Sequence, residues 1–180
     1  MLDIVMKQIP DYFELPYLAG RVALEGAAVA KPDAVQKPDI IPSILGALEA
    51  GSKYLKNAES LFPKFSDGKP ESVNAISTLI RYYATRSILQ TADMMILLER
   101  DAKPYANQVI TDQSNLLNNN VFLSDPIALC SLLDIVDGLR ILGGRQNYDK
   151  GLEYLKSAAA LADPFPPLQV HVKGLMEKLL

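Results

Sequence analysis

The chain has no tryptophan, one histidine and one cysteine in 180 residues. A lone cysteine, Cys130, excludes an internal disulfide, so the fold does not depend on an oxidising compartment. A lone histidine, His171, rules out the paired-histidine ligand sets of zinc sites and leaves acid–base catalysis short of its commonest group. Basic excess is missing too. The net charge of −3 offers nothing to neutralise phosphates, so nucleic acid is not an expected partner. No apolar run approaches the roughly 20 residues that a bilayer-spanning helix needs. No Gly-x-x-x-x-Gly-Lys-Ser/Thr, Gly-x-Gly-x-x-Gly or Gly-x-Ser-x-Gly string occurs, and no Glu-x-x-His pair. Neither a cofactor nor a metal is expected, and the chain does not read as an enzyme.

What is present is a folding chain. The hydrophobic fraction is 49% and the charged fraction 22%, which suits a packed core and excludes disorder. Met1 to Lys7 lacks a positive stretch followed by an apolar core, so a secretory leader is not expected and the expected location is cytoplasmic. No segment alternates apolar and polar residues as a half-buried strand does. The expectation is one all-α domain over 1–180, with about seven helices as antiparallel hairpins, an irregular array or a bundle.

Punctuation places the helices. Asp11 with Glu14 makes a capping pair for a first helix through about Ala30. Lys31-Pro32-Asp33 and Lys37-Pro38-Asp39 bracket an expected extended connector, because proline disfavours helix in the residue before it. A second helix, about 42–62, carries Leu48, Tyr54, Leu55, Ala58, Leu61 and Phe62 on one stripe. A turn containing Asp67-Gly68 leads to Pro70 and a third helix over 71–100, with Val73, Ile76, Ile80, Tyr83, Leu89, Ala92 and Ile96 on one side. Pro104 opens a fourth helix, which ends near Asn118-Asn119-Asn120. Ser124-Asp125-Pro126 opens a fifth, apolar nearly all round except for Ser131, Asp134 and Asp137. Such a helix sits in the middle of a fold. Gly143-Gly144 stops it, Asn147 to Ala162 forms a sixth, and Leu168, Val172, Leu175, Met176 and Leu179 mark a seventh.

The chain also echoes itself. Gly51-Ser52-Lys53-Tyr54-Leu55-Lys56-Asn57-Ala58-Glu59-Ser60-Leu61 returns as Gly151-Leu152-Glu153-Tyr154-Leu155-Lys156-Ser157-Ala158-Ala159-Ala160-Leu161, with Gly, Tyr, Leu, Lys, Ala and Leu shared. Pro63 and Pro164 follow the two copies. Tyr148, Gly151, Leu155, Ala158 and Pro164 resemble the second helix of a tetratricopeptide repeat. That resemblance, mainly over 145–164 with its echo at 51–63, implies helical hairpins that bind rather than catalyse. Gly151 stands where that family has Ala, and Pro164 falls one residue late. No copy lies near Val121, and 71–100 lacks a mid-repeat turn. The echo therefore reads as two equivalent packing helices in two related halves, not as a regular array.

Recognition residues are few. Arg81, Tyr82 and Arg86, with Tyr83, combine the two side chains most enriched at the energetic centres of interfaces. One tyrosine of the pair is expected in the core and the other nearer the surface. Asp134 and Asp137 share a helical face. They line either a groove or a solvated edge, paired with Arg140, Arg81 or Arg86. Cys130 reads as a buried small hydrophobe and His171 as a surface or satisfied histidine. The leading expectation is a non-enzymatic adaptor that holds a protein or peptide partner in an inter-helix groove through Arg81, Tyr82, Arg86, Asp134 and Asp137. The alternative is a bundle that holds a small apolar ligand between helices 3 and 5, where Met94-Met95 adds softness. A homo-oligomer through Leu168–Leu180 is a third.

Overall fold

The computed structural model describes residues 12–62, 70–119 and 123–179. Asp11, Asp67-Gly68, Asn120, Val121 and the side chains of Val73 and Leu179 lie outside the described residues. Among the described residues there are seven α-helices and no strand: α1 (Glu14–Gln36), α2 (Ile41–Leu61), α3 (Pro70–Leu97), α4 (Lys103–Asn119), α5 (Asp125–Leu142), α6 (Arg145–Ala162) and α7 (Pro166–Leu179). The all-α expectation holds. The chain divides into two compact units, the first ending at Asp101 and the second starting at Ala102.

The first unit contains α1, α2 and α3. Here α1 corrects the expected connector at 31–41: the helix runs through Pro32 to Gln36, and only Lys37 is extended before a short turn at Pro38–Ile40. A proline inside a helix costs about 3 kcal/mol. Ala27 and Ala34 are buried on either side of it, and Lys31 pairs with Asp93 of α3. Tertiary packing on both flanks outweighs the local preference. Phe13, Leu24, Ala27 and Ala34 join Ile41, Ile44, Leu48, Leu55 and Ala58 of α2 and Ile80 and Met94 of α3 in one core. Phe13 meets Phe62 edge-on at 4.7 Å.

A close crossing sets how α1 sits on α2. A Cβ built on Gly20 would lie 2.6 Å from Leu55 Cγ and 3.1 Å from the Gly51 carbonyl oxygen. One on Gly51 would lie 3.1 Å from Ala23 Cβ and 3.2 Å from the Gly20 oxygen. The two helices approach closely, with no room for a methyl group at Gly20 and a tight fit for one at Gly51.

The third helix buries two opposite faces, not the single side expected. Ile80, Ser87 and Met94 lie on one face, and Thr78, Thr85, Leu89 and Ala92 on the other. Hydroxyl residues are tolerated because Thr85 donates to the Arg81 carbonyl at 3.1 Å and Ser87 to that of Ala84 at 2.6 Å. Ile96 is exposed, a correction, because Met94 takes the core position in the last turn. The helix stops at Leu97, and Glu99 follows with φ +54°.

The second unit is a run of four helices in which α5 packs on both α4 and α6, and α7 packs on α6. Its core joins Leu129, Leu132, Leu133 and Val136 of α5 with Leu155, Ala158 and Ala162 of α6 and Val172 and Leu175 of α7. The expected central place of the apolar helix is thus met within this unit. Ser124 is the N-cap residue of α5, followed by Asp125-Pro126 as anticipated. Gly143 and Gly144 end the helix with φ of +67° and +85°, which other residues rarely adopt.

The echo has a structural counterpart. Gly51, Leu55 and Ala58 are buried, as are Gly151, Leu155 and Ala158. Tyr54 and Tyr154 are both half-buried. Lys53, Lys56, Asn57 and Ser60 are exposed, as are Glu153, Lys156, Ser157 and Ala160. Each copy belongs to a helix packed between two others of its unit, α2 between α1 and α3, α6 between α5 and α7.

Two stability predictions follow from this packing. Gly20→Ala will lower unfolding stability by about 1–3 kcal/mol in denaturant titration, because the added methyl has no space. Gly46→Ala, on a face of α2 where a Cβ meets nothing within 4 Å, will raise it by ~0.5–1 kcal/mol. Partial burial raises the Asp112 carboxyl on α4 above its ordinary pKa, opposed by a hydrogen bond from Gln108. The folded state then holds this proton more tightly than the unfolded chain does. That contribution is full below the unfolded pKa of about 3.9 and is lost as pH rises through the folded value. Asp112→Asn will therefore gain stability relative to the parent as pH rises through that window, measured by melts at stepped pH.

Candidate functional site

Three groups of side chains compete for the role of site. The first forms where α1 meets α3. Tyr83 points back at α1, its ring 6.1 Å from that of Tyr17, and Tyr82 meets Tyr83 at 5.4 Å. Both Tyr82 and Tyr83 are half-buried, so the expected split between core and surface is only partial. The guanidinium of Arg21 lies over both rings, 5.0 Å from the Tyr83 centroid and 5.9 Å from that of Tyr17. It also binds Glu25 one turn on, at 2.8 Å. Burial pushes the Tyr17 phenol above its usual range; Tyr83 adds to this and the Arg21 charge opposes it. The Tyr17 hydroxyl and Arg21 Nε are buried without a hydrogen-bond partner. Arg81 is turned to α2, where its Nε donates to Glu59 at 2.6 Å, and Arg86 is half-buried.

The second group lies between α4 and α5. Asp134 is 1% exposed and accepts a hydrogen bond from Gln113 Nε2 at 2.8 Å; Gln113 itself is fully buried. This corrects the solvated-edge reading of Asp134: the carboxylate sits inside the helix pair because Gln113 supplies a donor there. Asp137 one turn on is half-buried and takes the expected partner, Arg140, at 3.3 Å. Gly138 brings the two helices together, since a Cβ there would lie 2.9 Å from Ile110 and 3.2 Å from the Ala106 carbonyl oxygen. Ser131 Oγ and Gln113 Oε1 are buried without a hydrogen bond. The expected site is thus divided: Arg81, Tyr82 and Arg86 stand on α3 of the first unit, Asp134 and Asp137 on α5 of the second.

The third group was not foreseen. Leu18, Val22 and Val29 of α1 are 49%, 61% and 79% exposed. They share one stripe at helical spacing, opposite the Ala19, Ala27 and Ala34 face that packs inward. Between Leu15 and Ala30 the only charges are Arg21 and Glu25, and those neutralise each other. The helix is apolar on two sides, one of them covered by α2 and the other bare. The signal was legible: apolar residues at 18, 22 and 29, with a four-residue step between the first two.

His171 is exposed, and Cys130 is half-buried rather than buried as expected. Among the described residues no three of His, Cys, Asp and Glu come together as a metal site, and no helix is long and apolar enough to cross a membrane.

The buried polar pair yields a prediction. Asp134→Ala removes the acceptor of the Gln113 amide and will cost about 2–3 kcal/mol; Gln113→Leu removes that one donor from the carboxylate and will cost about 1–3 kcal/mol. The double variant Asp134→Leu/Gln113→Leu will cost less than the sum of the two single leucine changes, read in a denaturant double-mutant cycle. Comparison of the chain with models of known protein families, with curated proteins and with solved structures gives no match.

Proposed function

We propose that the chain is a non-enzymatic protein–protein interaction module, with the outer face of α1 as its docking surface. The observation that supports this is the bare stripe Leu18, Val22 and Val29 on a helix whose opposite face is already packed. An isolated exposed leucine is ordinary, but three large apolar residues exposed on one helix face, with Glu25 among them, are the mark of an association surface. The rim here is Arg21, with Tyr83 and then Tyr82 beyond it, which brings in a part of the site read from the sequence. Tyrosine and arginine at the edge of an apolar strip are the side chains that dominate binding energy. The repeated packing helices, α2 and α6, support the same class of function. Helical hairpins stacked on one another present faces rather than reaction centres.

A photo-crosslinking residue tests this placement. Installed at Val22 or Val29 in the full chain in cells, it will form protein adducts. Installed at exposed Asn115 on α4 it will form few. Equal labelling at all three positions would refute α1 as the docking face.

A further inference from the structure

We infer that the outer face of α1 takes a basic amphipathic helix from a partner protein. The inference rests on the reading of that face as a docking surface, and it adds the chemistry of the partner. Glu14, Leu18, Val22, Glu25, Val29 and Asp33 recur at steps of four, four, three, four and four, so they lie within about 100° of one another around the helix. All six are exposed. The face is an apolar strip with an acid at each end and one in the middle.

The three acids are not equivalent. Glu25 is held by Arg21 at 2.8 Å, and the Arg21 guanidinium is turned sideways over Tyr17 and Tyr83, so that pair is satisfied within the unit. Glu14 accepts a hydrogen bond from the Tyr12 hydroxyl at 2.8 Å, which leaves its charge in place. Asp33 stands one turn beyond Val29. Among the described residues no cation pairs with Glu14 or Asp33. Just past the helix, Lys37 and Asp39 carry one charge of each sign. The strip therefore presents unneutralised negative charge at both ends, about 28 Å apart.

Charge selects among occupants. A second copy laid antiparallel sets Glu14 against Asp33, and a parallel copy sets Glu14 against Glu14; both oppose like charges. An anionic lipid surface and a nucleic-acid backbone are repelled for the same reason. An extended peptide finds no unpaired backbone along the side of a helix to bond to. What matches is a helix of about 20 residues with apolar side chains along one face and lysine or arginine toward both ends. Its apolar residues cover Leu18, Val22 and Val29 at the helical spacing the strip already has, and its end cations face Glu14 and Asp33. Charge pairs at such a rim set the sign of the partner more than its affinity, and salt weakens them.

Two synthetic peptides of about 20 residues test the chemistry. Both carry leucine along one helical face, and one has lysine where the other has glutamate. Fluorescence anisotropy with the full chain will show the lysine peptide binding about tenfold more tightly or better, with the preference shrinking as salt rises. Glu14→Lys with Asp33→Lys, and separately Val22→Ser with Val29→Ser, will each weaken it by about tenfold, with unchanged helical circular dichroism. Glu49→Lys with Glu153→Lys, the same charge change at exposed positions elsewhere, will not. Equal binding of the two peptides, or equal weakening by the two double charge reversals, would overturn the inference. Crosslinks from position 22 or 29 separate it from the docking reading: the segments they join will be basic and amphipathic. Adducts to acidic segments or to a second copy of the chain would overturn the inference and leave the docking face standing. Flotation of the chain with vesicles of phosphatidylcholine and phosphatidylserine would assign the strip to lipid and overturn it as well.

Discussion

The close approach between Gly20 and Gly51 fixes the rotation of α1, and the arrangement of the first unit depends on it. With no side chain between them, α1 and α2 meet in the orientation that sets Gly20 against Leu55 and Gly51 against Ala23. That orientation turns Leu24, Ala27 and Ala34 into the core. It turns Tyr17 and Arg21 sideways onto Tyr83 of α3. By the same rotation it turns Leu18, Val22 and Val29 directly outward. The bare stripe lies away from the glycine crossing, where a Cβ at Gly20 would lie 2.6 Å from Leu55 Cγ and force that contact to shift.

Most helix boundaries were legible because the chain marks them with residues that have few alternatives. Pro70 opens α3, Pro104 stands at the second position of α4, Asp125-Pro126 opens α5 and Gly143-Gly144 closes it. Pro32 was misread because local preference was the only information available, and burial of Ala27 and Ala34 outvotes it. The site was harder. Periodicity treats polarity as a mark of the surface, so Asp134 was placed at an edge. A signal lay in α4: Ala106, Val109, Gln113 and Leu116 follow one apolar stripe, and a glutamine in such a stripe needs a partner. Ser131 and Asp134, on an otherwise apolar helix, were the polar groups to seek. One sequence alone does not pair two helices, so neither half of the match could be completed.

The echo is clearest where sequence and burial agree. Gly, Leu and Ala recur at 51, 55 and 58 and at 151, 155 and 158 because those positions face inward on a helix packed between two neighbours. Tyr54 and Tyr154 keep half-buried rings, as an amphipathic side chain does at the border of a core. Lys56 and Lys156 are both exposed, and nothing in the packing explains why they match.

The two units break the ordinary distribution of polarity in opposite ways, and the two breaks do not carry equal weight for function. In the second unit a polar pair is buried and bonded inside. Asp134 and Gln113 fit each other in one register of α4 against α5, so a structural role accounts for them. In the first unit an apolar stripe is left outside, and folding gives no reason for it. Val22 and Val29 gain little from a core they do not enter, and polar residues there would cost the monomer almost nothing. A feature that the monomer does not need is what supports the proposal of a docking surface there. That asymmetry is why we place the proposed docking face on α1 and not on the carboxylates of α5.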